Sequence, residues 1–368
     1  MREIHEIDTL EDYLNQGRDL RGCVIQGLDL RGFSWNWDRA LLRGAVFLGC
    51  QFSKNGEEVE LVERGAALFP PFPNLPYCPY RPKLYTREEL AEGKPSLDEV
   101  IYEHFVKRGR DQPDVYEALS QRLHDHAIDD GLQDLLEGRL DGGKRKRVVA
   151  IMGGHGVPRT DPFFEKVARI SRSLTKKGYF IASGGGPGIM EAANFGAWMS
   201  ETKEAEFREA LGILHRAAVY TDEGYLDAAR EVVARHPQGG ASVAIPTWFY
   251  GHEPSNLFST FIAKYFSNSI REDGLLAIAK HGVIYAPGSA GTTQEVFMDA
   301  CQNHYGTFHH VSPMIFLGRS HYLTKTRIFP TLRLLAEGRQ YAEHLHVTDD
   351  PRKVIRWITE YKLTEYKN

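Results

Sequence analysis

Two glycine-rich stretches, roughly a hundred residues apart, carry the residue types best suited to chemistry. The first to weigh is Tyr285-Ala286-Pro287-Gly288-Ser289-Ala290-Gly291-Thr292-Thr293-Gln294-Glu295, which joins a short apolar run, Val283 to Ala286, to a helix predicted from about Thr293. Backbone N–H groups at a helix start lack internal partners and carry partial positive charge, so an anion such as phosphate binds there readily. Glycines let the main chain come close, and the hydroxyls of Thr292 and Thr293 add donors. Glu295, placed by this reading in the first helical turn, is not a phosphate ligand; taken alone it would merely complement the helix dipole.

The second stretch, Ser183-Gly184-Gly185-Gly186-Pro187-Gly188-Ile189-Met190-Glu191, repeats the pattern of apolar run, glycine turn and helix start, and Gly153-Gly154-His155-Gly156 follows another apolar run. A nicotinamide-binding unit would place its glycines after the first strand and an acidic residue after the second; here the second strand also ends in glycines, which argues against a dinucleotide oxidoreductase. No GxxxxGK[ST] motif is present, so P-loop phosphotransfer is not indicated. Cys301, His304, His309 and His310 lie close in sequence but match no common zinc spacing, and no metal and no cofactor is called for.

These loops need a scaffold that presents them together. Apolar runs of strand length occur at Val148 to Met152, Tyr179 to Ala182, Ala241 to Ile245, Val283 to Ala286 and Met314 to Leu317, with helical patterns between most of them. The expectation is an α/β fold: a Rossmann-like parallel sheet with helices on both faces, whose ligand site lies beyond the carboxyl ends of the strands. A charged helical block from about Glu201 to His236 is longer than a usual crossover and is expected to cap the site or join a subunit interface. Lys144-Arg145-Lys146-Arg147 reads as a solvated edge just before the first strand.

Ahead of this core, residues 1–60 show a five-residue rhythm, with Leu20, Ile25, Leu30 and Trp35 in one phase and Leu42, Phe47 and Phe52 in another, separated by a break near Arg39. It resembles pentapeptide-repeat sequence, and a small cap of short strands and turns is the expected outcome. Residues 61–143 are read as a Pro-rich arm, with six prolines between Phe69 and Pro82, followed by a helical connecting segment. Residues 144–368 are read as the Rossmann-like domain that carries the glycine loops.

Composition narrows the function classes. The 368 residues carry a formal net charge of −4, which offers no basic footprint for nucleic acid. No apolar run reaches about 18 residues, so no membrane role is expected, and the opening Met1-Arg2-Glu3-Ile4-His5-Glu6 is too charged for a signal peptide. Four cysteines without paired spacing fit a reducing, cytoplasmic setting.

At this point the pair GGGPGIMEAAN and PGSAGTTQE resembles the motifs of the LOG family, proteins once labelled lysine decarboxylases and similar to bacterial nucleotide 5′-monophosphate nucleosidases. The resemblance covers roughly Arg147 to Leu317. It implies a phosphoribohydrolase that splits a nucleoside 5′-monophosphate into free base and ribose 5-phosphate, acting as a homo-oligomer. The motif glutamate falls on Glu295 and an upstream arginine on Arg271, with one residue inserted between them; Glu253-Pro254-Ser255-Asn256 is similar to a stretch of the longer bacterial members. Nucleotide contacts are expected from Gly153, Gly154, Ser183, Gly184, Gly185, Gly186, Gly188, Met190, Glu191, Pro287, Gly288, Ser289, Gly291, Thr292 and Thr293. Glu191 would touch the ribose or only its helix dipole, His155 would touch ligand or pack its loop, and Trp248, Phe249 and Tyr250 would stack on a base or fill the core. Two departures stand out: Ser289 replaces a motif glycine, and Glu272 follows the arginine where compact members have lysine. Either leaves open a nucleotide-binding sensor that does not turn over.

Overall fold

The computed structural model describes residues 2–32, 37, 41–52, 57–139, 143–254 and 256–366. Trp35, Arg39 and Ser255 lie outside the described residues. The chain divides into two compact units, one of Met1–Leu84 with Glu103–Gly131, the other of Tyr85–Tyr102 with Leu132–Asn368.

In the first unit the five-residue rhythm becomes a stack of parallel coils. Strands β1 (Arg2–Ile4), β2 (Cys23–Gln26), β3 (Val46–Leu48) and β4 (Ala67–Phe69) form a parallel sheet in that order, with helix α1 (Ile7–Asn15) between the first two and α2 (Glu57–Glu63) between the last two. Ile25 stands beside Phe47, and Leu20, Ile25, Leu30, Leu42 and Phe47 are all buried in one core. The Pro-rich arm packs where its aromatics allow: Phe72 lies 4.8 Å from the Tyr116 ring, and the Tyr77 hydroxyl donates to Glu117 at 2.8 Å.

Three helices follow: α3 (Arg87–Ala91), α4 (Leu97–Lys107) and α5 (Val115–Glu137). The three-segment order expected from sequence does not match the compact units, because Tyr85–Tyr102 folds with the large sheet. Tyr85 exchanges both backbone hydrogen bonds with Ile262, at 3.1 and 2.8 Å.

The second unit is built on β5 (Arg147–Met152), α6 (Pro162–Lys176), β6 (Tyr179–Ser183), α7 (Ile189–Trp198), α8 (Glu204–Leu214), α9 (Tyr225–Arg235), β7 (Ser242–Ala244), β8 (Phe261–Ile262), α10 (Asn268–Ile278), β9 (Val283–Tyr285), α11 (Ala290–Tyr305), β10 (His310–Val311), β11 (Met314–Leu317), α12 (Ile328–Leu335), β12 (Leu345–Thr348), α13 (Pro351–Glu360) and β13 (Thr364–Glu365). Seven strands form a wholly parallel sheet in the order β12-β11-β9-β5-β6-β7-β8, flanked by helices, a Rossmann-like architecture. Each of the five expected strands is present. β8 and β12 were not foreseen, since two residues are too short to show a pattern and Leu345-His346-Val347-Thr348 has little apolar contrast. β10 and β13 pair antiparallel outside this sheet.

Asp161 starts α6 by accepting a hydrogen bond from the Phe163 N–H at 2.7 Å, ahead of Pro162 in the first turn. Helices α6 and α7 then pack so closely that a Cβ on Gly196 would stand 2.1 Å from the Ala168 carbonyl oxygen. The charged block predicted between Glu201 and His236 becomes α8 and α9. It buries Phe207, Leu211, Leu214 and Val232 in the main core, and its helices do not line the ligand cleft described below.

Because the obstacle at Gly196 is backbone, Gly196→Ala forces α6 and α7 apart. Thermal unfolding of this variant should show a loss of about 1–3 kcal/mol, against the usual small gain for glycine to alanine within a helix.

Candidate functional site

At the centre of the sheet β5 and β9 lie side by side, and the chain continues outward from them in opposite directions, to β6 on one side and β11 on the other. A crevice opens beyond the carboxyl ends at such a reversal. Three glycine loops meet there. The Gly154 N–H donates to the Pro287 carbonyl at 3.0 Å, and the Ile189 N–H donates to the Gly154 carbonyl at 3.2 Å. Gly188, at φ +66°, leaves only 2.5 Å between a would-be Cβ and the Gly154 oxygen, while a Cβ on Gly288 would meet the Thr292 hydroxyl at 2.2 Å. Gly188 is thus demanded by contact between loops, and Gly288 by the turn of its own loop against Thr292.

Helix α11 starts at Ala290, three residues earlier than predicted. Two readings change. Glu295 sits in the second turn, so it is not a dipole-complementing residue of the first turn. Ser289 is the N-cap with a negative φ of −116°, so the position does not demand the left-handed backbone that favours glycine.

The cleft has a volume of about 160 Å³, several times a water molecule's share of about 30 Å³, which admits an organic ligand. Of the expected residues, Gly153, Gly154, Gly184, Gly185, Met190, Arg271, Ser289, Gly291, Thr292 and Glu295 line it. Arg271, from the first turns of α10, directs Nη1 to Glu295 Oε1 at 3.4 Å and Nη2 to Asn268 Oδ1 at 2.9 Å, with Glu272 Oε1 at 3.6 Å. Glu295 is 8% exposed. Burial raises its carboxyl to about 7; Arg271 opposes that shift and Glu272 adds to it. One turn further along α11, fully enclosed Asp299 is likewise raised to about 7 by burial, against the pull of the Tyr285 hydroxyl that donates to it at 2.8 Å.

The remaining expected residues build the loops from behind. The Ser183 hydroxyl accepts from the Gly185 N–H at 3.1 Å and donates to Asn194 Oδ1 at 2.6 Å. Asn194 in turn binds Ser242 and Asn256, tying β6, β7 and α7 together. Gly186, Gly188, Pro287 and Gly288 supply backbone shape, and the Thr293 hydroxyl bonds back to the Ser289 carbonyl. Glu191 is a correction. It is buried against Arg159, with Arg159 Nε at 2.8 Å, and also accepts from the Tyr225 hydroxyl at 2.7 Å. Arg159 further donates to the carbonyls of Ala217 and Tyr225, so Glu191 anchors the segment leading into α9, away from the ligand cleft.

His155 and Tyr250 line the cleft, and the Tyr250 hydroxyl accepts from Asn268 Nδ2 at 2.9 Å. Trp248 does not: it is fully buried, packs on Phe266 and donates its indole N–H to Asp98 at 2.8 Å. Sequence reasoning missed Lys264, Asp98 and Leu90. Lys264 lines the cleft with its ammonium 2.7 Å from Asp98 Oδ1; although burial pushes the Asp98 carboxyl up, Lys264, His252 and Trp248 together hold it well below its ordinary range. Nothing local marks a single lysine of a two-residue strand's exit as partner to an aspartate 166 positions earlier. Among the described residues no group of three or more His, Cys, Asp or Glu side chains is placed to hold a metal, and no helix is long and apolar enough to cross a membrane.

No family model matches the chain, and no curated protein matches it. Among solved structures it is similar to the molybdenum cofactor binding protein from the phototrophic bacterium Rippkaea orientalis, at 15% identity and TM-score 0.37 over 59% of this chain and 98% of that one. The molybdenum cofactor carrier protein of Chlamydomonas reinhardtii gives the same values. A structural genomics target, TM1055, is 20% identical with TM-score 0.37, over 59% of this chain and 99% of that one.

A carboxyl held near 7 in the folded state, against 4.5 ordinarily, keeps its proton more tightly than in the unfolded chain. Stability therefore falls as pH rises from about 4.5 through about 7 and levels off above. Glu295→Gln removes that cost, so in denaturant titrations the variant should gain on wild type by about 2–3 kcal/mol between pH 5 and pH 8. An unchanged difference across that range would show that Glu295 titrates normally.

Proposed function

We propose that this cleft hydrolyses the N-glycosidic bond of a nucleoside 5′-monophosphate. The observation that carries the reading is the placement of Glu295 and Arg271, in contact with each other, beside three glycine loops and the first turn of a helix. The likeness of GGGPGIMEAAN and PGSAGTTQE to the LOG motifs supports it. Backbone N–H groups of the loops and the Thr292 hydroxyl would hold the 5′-phosphate. Water attacks C1′ as the C1′–N bond breaks; positive charge grows on the ribose, and the Glu295 carboxylate stabilises it and takes the water proton. The departing base leaves with the bonding pair and is protonated, and Arg271 balances its developing negative charge. Free base and ribose 5-phosphate result. A carboxyl with its pKa near 7 is well matched to act as base at neutral pH.

One observation favours a second reading. Arg271 already faces two carboxylates, Glu295 and Glu272, and Gln294 holds Glu272 in place by hydrogen bonding to it. An arginine so neutralised suits a site that binds a nucleotide without cleaving it.

Incubation with AMP, GMP, CMP, UMP and IMP, followed by chromatography for free base, separates the two. Release from at least one is expected, with Glu295→Gln slowed about 10²–10⁴-fold while nucleotide affinity changes little. Binding without release from any of the five would establish the sensor reading, and full activity in the variant would remove Glu295 from the mechanism. Because the ionised carboxylate does the work, kcat/KM should climb with pH to a plateau above about 7.

A further inference from the structure

A second cavity, of about 650 Å³, opens at the opposite end of the large sheet. Arg147 begins β5 and His281 immediately precedes the turn into β9, so the cavity lies at the amino ends of these strands. The ligand cleft lies at their carboxyl ends, about 20 Å away along a six-residue strand. Arg145, Arg147, Lys280 and His281 line the second cavity, over apolar surface that includes Leu136 and Phe308. The basic run that reads from sequence as a solvated edge is thus one wall of a concavity.

The charges in that wall are unbalanced. Among the described residues neither Arg145 nor Lys280 has a carboxylate in ion-pair contact, and the one acidic side chain lining the cavity, Glu137, is hydrogen-bonded by Arg139. Arg147 donates to the Lys177 carbonyl at 2.6 Å and lies over the Tyr179 ring, neither of which cancels its charge. Burial and the nearby Arg145 lower the basicity of Lys280, and Glu137 opposes them only in part. His281, lowered to about 4 by burial and by the same cations, stays neutral, and its shielded Nδ1 has no hydrogen-bond partner. A cationic, part-apolar cavity calls for a ligand that brings both negative charge and an apolar body.

The geometry points to a second binding site here, for a small organic anion carrying two or more phosphate groups. Four guanidinium and ammonium groups, Arg145, Lys146, Arg147 and Lys280, line the cavity against one carboxylate, Glu137, an excess that one monoanion does not neutralise, and the volume with its apolar floor leaves room for a body beyond the phosphates. The site is separate from the ligand cleft and does not depend on hydrolysis there.

Calorimetric titration of the full chain with GTP, pyrophosphate and orthophosphate tests this. The triphosphate should bind, weaken steeply with added salt, and bind at least about tenfold more weakly to an Arg145→Glu, Lys280→Glu double variant, while saturating AMP leaves its affinity unchanged. Arg145 is exposed and Lys280 half-buried, and retention of the wild-type melting temperature confirms that the double variant folds; Arg145→Gln provides a milder second variant. Pyrophosphate as tight as GTP means that phosphates alone are recognised, and GTP tighter than pyrophosphate means that the apolar floor holds the rest; either supports the site. Absence of binding, equal affinity in the double variant, displacement by saturating AMP, or orthophosphate binding as tightly as GTP overturns it.

Discussion

Glu295 and Arg271 form the contact on which the candidate site depends. A carboxyl enclosed to this degree is costly to ionise, and the guanidinium 3.4 Å away makes the charged form accessible near neutral pH. Moving the partners apart would leave an acid that stays protonated and an arginine with only Glu272 and Asn268 for company. Their geometry therefore has to be fixed by something stiffer than the side chains themselves. The first turns of α10 and α11 supply that, each anchored by a neighbouring strand of the sheet.

What brings those helices to their places is loop contact. Gly154 packs against the Pro287–Gly288 backbone at the reversal between β5 and β9, and Gly188 meets the Gly154 and His155 carbonyls at separations that no Cβ could enter. The network through Ser183, Asn194, Ser242 and Asn256 holds the second loop from beneath. Buried polar chains of this kind tolerate little rearrangement, because each broken link leaves a desolvated donor or acceptor. The Arg159–Glu191 pair does the same for the segment between α8 and α9, which is why an acidic residue at a helix start beside a ligand loop serves the core and not the ligand.

The parallel α/β class, its five main strands and the three glycine loops were legible in the residues, since each rests on a local pattern of apolar run, glycine turn and helix start; Arg271, which no such pattern marks, was reached only through the resemblance to the LOG motifs. The start of α11 was misplaced because the helix continues back through Gly291, a residue of low helical propensity whose position tertiary packing fixes. Trp248 was ambiguous for a similar reason: an aromatic beside a ligand loop and one in a core look alike until the indole N–H finds Asp98, a residue of the preceding helical region.

Sequence alone, then, determined the five main strands, the helical stretches between them and the chemical groups available at each loop, because those follow from short-range periodicity and from the backbone freedom of glycine. Only the tertiary structure decided which groups share a cavity. Lys264 meets Asp98 through a fold that carries Tyr85–Tyr102 onto the large sheet, and Arg145 meets Lys280 because β5 and β9 are neighbours. Long-range pairing of this kind is set by which apolar faces bury together, and a single charged residue leaves no trace in its own neighbourhood of the partner that burial will bring to it.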